Sequence, residues 1–170
     1  ERLLYLDTTT EYNNSLDASH ECGYMNSSDM NSGGWEGCER RTWCNNVYKK
    51  CLPAYVQSMM KQVKKLTSVG GQSSTIKTSN DYAFLLSGIE IFGDIPYSFG
   101  GEGTQYQYFK NATANRYKSP RTSNSYVSGV WWERSPCRSA NESFCVVNAA
   151  GNMNIADASQ ERSLAPCLCF

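Results

Sequence analysis

Apolar and polar positions along this chain follow changing rhythms, and each rhythm predicts a different element. Arg2 to Asp7, RLLYLD, has the apolar run of a strand, and the Thr/Asn/Ser-rich stretch after it reads as loop. NSSDMNSGGWEG, Asn26 to Gly37, is turn chemistry: Ser27, Ser28 and Asp29 are helix-capping types, and the paired glycines permit unusual backbone angles before Trp35. From there apolar side chains recur at Trp35, Cys38, Trp43, Cys44, Val47, Tyr48 and Cys51. That three-to-four spacing predicts an amphipathic helix with its cysteines turned inward. Leu52-Pro53 ends it, because a residue before proline is pushed out of the helical region.

Ala54 to Met60 fits one more short turn of helix, and Met60 to Thr67 fits a strand. SVGGQSST, Ser68 to Thr75, reads as a hairpin-like loop leading to a strand at Thr75 to Thr78. DYAFLLSGIEI, Asp81 to Ile91, reads as a buried strand that turns into a short helix near Ser87. Lys118 to Ser128 is polar and reads as an exposed connection. Val130 to Arg134, Phe144 to Asn148 and Ala165 to Phe170 are short strand candidates separated by small polar turns. The sum is an α+β chain: an amphipathic helix in the N-terminal half, short antiparallel strands with long loops in the C-terminal half.

At 170 residues the chain suits a single domain over 1–170, without an internal repeat. A formal net charge of +0, with no long basic run, excludes the electrostatic footprint of nucleic acid or an anionic membrane. The densest basic stretch, KQVKK at Lys61 to Lys65, reads as a solvated face. No stretch approaches the ~20 apolar residues of a membrane span, so no membrane insertion is expected. A start at Glu1 without methionine leads to the expectation of a processed chain, or of the C-terminal part of a longer protein. Eleven tyrosines and four tryptophans favour a surface that contacts something.

Eight cysteines, at 22, 38, 44, 51, 137, 145, 167 and 169, lack zinc-knuckle spacing. His20 is the only histidine that a site with Cys22 and Cys38 could use. Buried thiols acting as small hydrophobes are expected, with room for one or two disulfides and no metal. Glu90, Glu102 and Glu133 are the carboxyls to weigh for acid–base work, but nothing in their spacing places them together. Glu133 and Arg134, adjacent on a strand, would point to opposite faces and need different partners, which favours a buried ion pair or hydrogen bond. GGEGTQY, Gly100 to Tyr106, lacks the signature of a phosphate loop and reads as a glycine-rich surface loop. The sequons at Asn26, Asn111 and Asn141 decide nothing in so Asn/Ser-rich a chain.

Several stretches in order, GGWEGCERRTWCNNVYKKCLP, DYAFLLSGIEIFG, GEGTQYQYF, WWERSP and APCLCF, carry a resemblance that runs from about Tyr24 to Phe170. The chain resembles a family of bacterial and phage proteins similar to the C-type-lectin-type fold of formylglycine-generating-like proteins, some of which are variable proteins of diversity-generating retroelements. In such systems a retroelement rewrites adenines at the 3′ end of the gene, so residues change over a fixed scaffold. The resemblance implies anchors at Trp131, Trp132, Arg134, Ser135, Pro136, Phe144, Val147, Asn148, Gly151, Ala165, Pro166 and Phe170. It implies a hypervariable surface within 137–163, at Cys137, Arg138, Ala140, Asn141, Ser143, Val146, Ala150, Asn152, Asn154, Ile155, Ala156, Asp157 and Ser163. Each of those residue types can arise from an asparagine codon altered at its adenines, whereas Glu142, Met153, Gln160 and Glu161 cannot. Independently of the resemblance, two buried indoles remove roughly 150–250 Å² each from water and would fix WWERSP to the core. The small polar residues after it tolerate substitution because little of their surface need be buried.

The expectation is therefore a non-enzymatic domain that binds a protein or glycan on a host or neighbouring cell surface, displayed on a phage virion or a bacterial cell surface. The alternatives are a formylglycine-generating-like thiol or metal enzyme, resting on Cys145, Cys167 and Cys169, and a structural assembly domain. Those cysteines alternate with Phe144, Val146, Leu168 and Phe170, as packing residues do. No acidic run has the density of a calcium site, so no cofactor is expected.

Overall fold

A computed structural model of the chain describes residues 22–94, 96–110, 113–117, 121–122, 125–126 and 129–170. The strand expected at Arg2 to Asp7, the histidine His20 and the sequon residue Asn111 lie outside the described residues. The secondary structure is mixed, with few helices and mainly antiparallel strands, as the α+β reading expects.

The predicted helix forms, but in pieces. Residues 32–37 are turns, so helix α1 starts at Glu39–Trp43, continues through a π turn at Cys44–Tyr48 and ends as α2, Lys49–Cys51. Asn45 occupies the π turn and reaches sideways: its amide accepts from Tyr82 N at 2.8 Å and donates to the Ala83 carbonyl at 3.0 Å. Its Nδ2 also donates to the Arg41 carbonyl at 3.1 Å, and a side chain that enters the helical ladder in this way accounts for the local widening. Cys38, Cys44 and Tyr48 face the core as the spacing implies, whereas Cys51 is half-buried. Helix α3, Ala54–Met59, follows Pro53.

Strands β2 (Val63–Ser68) and β3 (Ile76–Asp81) pair antiparallel along their whole length, from Val63 opposite Asp81 to Ser68 opposite Ile76. In β2 the alternation is inverted: Lys65 is buried and Leu66 is exposed. The KQVKK stretch is thus not simply a solvated face, because Lys65 turns inward to an ion pair with Glu90 and lies 3.7 Å from the centre of the Phe84 ring. Strand β4, Ala83–Phe84, is shorter than expected and leads into α4, Gly88–Phe92. Ser87 caps α4 with a reciprocal box, accepting from Glu90 N while the Glu90 carboxylate accepts from Ser87 N.

The C-terminal half carries a five-stranded sheet. Its strands are β1 (Cys22–Gly23), β7 (Trp131–Pro136), β8 (Ser143–Val147), β9 (Met153–Asp157) and β10 (Arg162–Ser163), in the order β1-β10-β7-β8-β9. Only β10 and β7 run parallel. A small hairpin, β5 (Arg121–Thr122) with β6 (Ser125–Tyr126), precedes it, and β11 (Cys167–Leu168) pairs with β4. Strands β7 and β8 are buried at every position. Trp131 and Trp132 fill the core, their indole N–H groups donating to the carbonyls of Arg116 and Gly23. The Trp35 indole donates to Asp81 at 3.0 Å, joining the first turn region to the β2–β3 hairpin.

Two expectations change here. Strands β9 and β10 lie in the stretch read as loose, because MNIAD pairs with a fully buried neighbour that its own small residues do not advertise. Phe170, expected as a buried anchor, is 48% exposed, since the last strand is only Cys167–Leu168 and the chain leaves the core after it. Pro166 is half-buried, whereas Trp131, Trp132, Arg134, Pro136, Phe144, Val147 and Gly151 are buried as anchors should be.

Candidate functional site

The thirteen tail positions singled out in the sequence do not share one environment. Arg138, Asn141, Ala150, Asn152 and Asn154 are exposed, and Ala140, Ile155 and Asp157 are half-buried. Cys137, Ser143, Val146, Ala156 and Ser163 are buried, so their side chains cannot touch a partner on the surface. The reason is the strand pairing: Val146 and Ser143 lie in the central strand β8, Ala156 stands opposite Phe144, and Ser163 pairs with Trp131. Ser143 and Asp157 also bond to each other across the strands, Oγ to Oδ1, at 3.1 Å. The exposed positions form two patches at opposite ends of β8, about 14 Å apart at ~3.4 Å per residue, joined along the edge strand β9.

At the first patch, residues 137–143, the loop is held through its backbone. The Asn31 side chain, fully buried, donates to the carbonyls of Ala140 and Ser143 at 2.7 Å each and to that of Cys137 at 3.4 Å. Its backbone N–H donates to the Asn141 carbonyl at 2.7 Å. Arg138 N donates to the Tyr97 carbonyl, Cys137 N to that of Ser143, and Ala158 N to that of Glu142. On its other side Asn31 accepts from Gly71 N at 2.8 Å, which ties this loop to the β2–β3 hairpin. Gly70 makes that approach possible: a Cβ there would lie 1.8 Å from the Asn31 carbonyl oxygen, and its φ is +70°.

The same principle recurs nearby. Ser159 N donates to Asp29, and Met25 N and Asn26 N donate to the Ala158 carbonyl. At the second patch the Asn148 side chain accepts from Ala150 N and Asn152 N, while Asn148 N donates to the Asn152 carbonyl. Asn31 and Asp29 stand inside NSSDMNSGGWEG, whose turn chemistry is legible in the sequence; their partners more than a hundred residues away are not. The sequon at Asn26 has its amide engaged with Met30 and Glu39, whereas Asn141 is exposed.

Beneath this surface lies a charged cluster. The Arg134 guanidinium is fully buried, and every one of its N–H donors has a partner. They go to Thr67 Oγ1, to the carbonyls of Leu85, Leu66 and Glu102, and to the Glu90 carboxylate. Glu90 also accepts from Lys65 at 3.1 Å and from Tyr106 at 3.3 Å. Burial alone would raise the Glu90 carboxyl, but Arg134 and then Lys65 outweigh it and hold the group below its ordinary range. Glu102, in the loop read from sequence as surface, is fully buried and accepts from Ser68 N and from the Ser135 hydroxyl. Burial, opposed by those bonds, leaves its carboxyl raised.

Glu133 completes the set. Both of its oxygens are buried without a hydrogen-bond partner, contrary to the expected structural pair. Burial first and Glu102 second push its carboxyl well above the usual range, against Arg134. Three glutamates that no sequence spacing grouped therefore gather around one arginine, brought in by α4, by the loop at Glu102 and by β7.

The cysteines behave as packing residues. Cys38, Cys44, Cys137, Cys145 and Cys167 are buried, and Cys51 and Cys169 are half-buried. Desolvation pushes the Cys38 thiol up to about 12 and those of Cys44 and Cys145 upward too, Cys145 further raised by Glu133 and Glu102. Among the described residues no group of three or more His, Cys, Asp or Glu side chains is placed to hold a metal. No described helix is long and apolar enough to cross a membrane.

No curated protein matches the chain, and no solved structure does. A family model described as a domain of unknown function (DUF6273) matches residues 8–170, and the chain accordingly belongs to that family.

Proposed function

We propose that this chain is a non-enzymatic ligand-binding domain with a C-type-lectin-like fold, which displays a substitutable C-terminal surface on a fixed frame, as variable proteins of diversity-generating retroelements do. The observation that carries the reading is the way the loops are held. Asn31 and Asn148 bond to backbone atoms of residues 137–143 and 150–152, not to the side chains exposed there. A loop fixed in this manner keeps its shape when its side chains change, which is what a rigid paratope requires. The substitutable set is then Arg138, Ala140, Asn141, Ala150, Asn152, Asn154 and Ile155. The five buried positions and the Ser143–Asp157 pair belong to the frame.

The partner on this reading is a protein or glycan on a neighbouring cell, and the domain sits on a virion or a bacterial surface. The thiol-enzyme alternative is disfavoured by burial of Cys145 and Cys167, since the reactive species is a thiolate and desolvation opposes it.

The test is a displayed library randomised at those seven positions and panned against a fixed set of purified proteins and glycans. The reading expects most members to melt within a few degrees of the parent and distinct binders to emerge for distinct targets. General unfolding of the library, or recovery of no binder from a well-folded one, sinks it.

A further inference from the structure

The Glu133 carboxylate and the Ser98 hydroxyl are fully buried, and neither has a hydrogen-bond partner. Such groups are rare in native interiors because burial strips them of water without compensation. They also converge. A Cβ built on Gly88 would stand 3.0 Å from Glu133 Oε2 and 3.1 Å from Ser98 Oγ, with the Met153 methyl at 3.1 Å. The two oxygens therefore lie within about 6 Å of each other, yet they are not bonded to one another. A polar pair not bonded directly and no farther apart than about two hydrogen-bond lengths can be spanned by one small molecule with both donor and acceptor capacity.

Charge decides the protonation. The buried cluster holds two cations, Lys65 and Arg134, and three carboxyls, Glu90, Glu102 and Glu133. Lys65 and Arg134 both pair with Glu90, and Glu102 has the Ser68 N–H and the Ser135 hydroxyl. Glu133 alone has no donor, so the proton that balances the cluster belongs on it. Its charged neighbours agree: Glu102 faces it with like charge, Arg134 is already fully bonded, and the Cys145 thiol beside it is uncharged.

We propose that the Glu133 carboxyl, as a neutral acid, and the Ser98 hydroxyl bind one water molecule sealed beside Gly88. This hydrated joint fastens the loop of residues 96–103 onto β7. The Glu133 O–H donates to the water, and the water donates to the Ser98 oxygen, so both orphaned groups gain a partner. The joint lies next to the display surface: Tyr97, adjacent to Ser98, accepts from the backbone N–H of Arg138 at 2.7 Å. A side chain at Gly88 would crowd both oxygens, its Cβ standing 3.0 Å from Glu133 Oε2 and 3.1 Å from Ser98 Oγ.

Two measurements test the site. A high-resolution crystal structure should show one density peak within hydrogen-bond distance of both Glu133 and Ser98, with the coordination and scattering of water. An infrared spectrum at pH 7 should contain a neutral-carboxyl band that is lost in Glu133→Gln and displaced in Ser98→Ala. Direct contact between the two side chains, an ion at the site in anomalous scattering, or absence of the neutral-carboxyl band from the unmodified protein overturns the proposal. The crystal structure and the parent spectrum decide the matter even if a variant fails to fold.

Discussion

Asn31 donates its side-chain N–H to the carbonyl oxygen of Ser143, 112 residues further along the chain, at 2.7 Å. The same amide holds Ala140 and Gly71, so one buried side chain joins the N-terminal turn, the β2–β3 hairpin and the loop before β8. The β7–β8 loop closes on itself through the Cys137 N–H, which donates to the Ser143 carbonyl, and Asn31 supplies the rest of the order that a ladder would otherwise give.

Replacing Asn31 by alanine removes the partner of the Gly71 N–H and of the Ala140 carbonyl and leaves the buried Ser143 carbonyl with the Cys137 N–H alone, which should cost about 2–4 kcal/mol. In a chain of this length that lowers the melting temperature by roughly 4–16 °C. Asn31→Asp should be worse, because a carboxylate then faces carbonyl oxygens that need donors. Hydrogen exchange at residues 137–143 reports the effect locally; unchanged protection in a folded Asn31→Ala variant means the loop is held by something else.

Arg134 offers a second test, since its planar fork meets five acceptors from four separate segments. Arg134→Met leaves Glu90 buried with Lys65 as its remaining cation and should destabilise by about 3–5 kcal/mol. Arg134→Lys keeps the charge but lacks the fork, so denaturant titration should place it between the parent and Arg134→Met. Equal loss in the two variants would mean that charge contributes nothing and geometry everything.

How much of this was legible in the sequence follows from which physics acts locally. The helix face through Cys38, Cys44 and Tyr48, the break at Pro53 and the core strands around Trp131 and Phe144 are recorded in apolar spacing, and they appear nearly where that spacing puts them. Strand β9 was not legible, because an edge strand of Asn, Ile, Ala and Asp is specified by its neighbour β8 and not by its own pattern. Lys65 and Leu66 reversed the usual inward and outward roles because an ion pair with Glu90 waits on the inner side, a fact of tertiary contact. For the candidate site, the sequence marked out residues 137–163 but could not separate exposed Asn141 from buried Val146, since pairing register decides that and codon arithmetic does not.

Glu133 yields a prediction whose sign is opposite to the usual carboxylate. Its folded value is raised by burial and by Glu102, so the unfolded chain loses its proton at lower pH than the folded one. The stability that depends on this proton is fully present below the ordinary carboxylate range and declines as pH rises toward the folded value. Glu133→Gln keeps the shape and hydrogen-bonding capacity without the titration. Its advantage over the parent should therefore be small near pH 4 and grow with pH, by at most ~1.4 kcal/mol for each unit crossed. Glu90, held below its ordinary value, acts in the opposite sense: its contribution is lost as pH falls through the folded value, which should limit both proteins equally at the acid end. Urea titrations of both proteins at pH 4, 6 and 8 separate the two groups. Parallel pH dependence of parent and variant means that Glu133 is ionised in the folded chain.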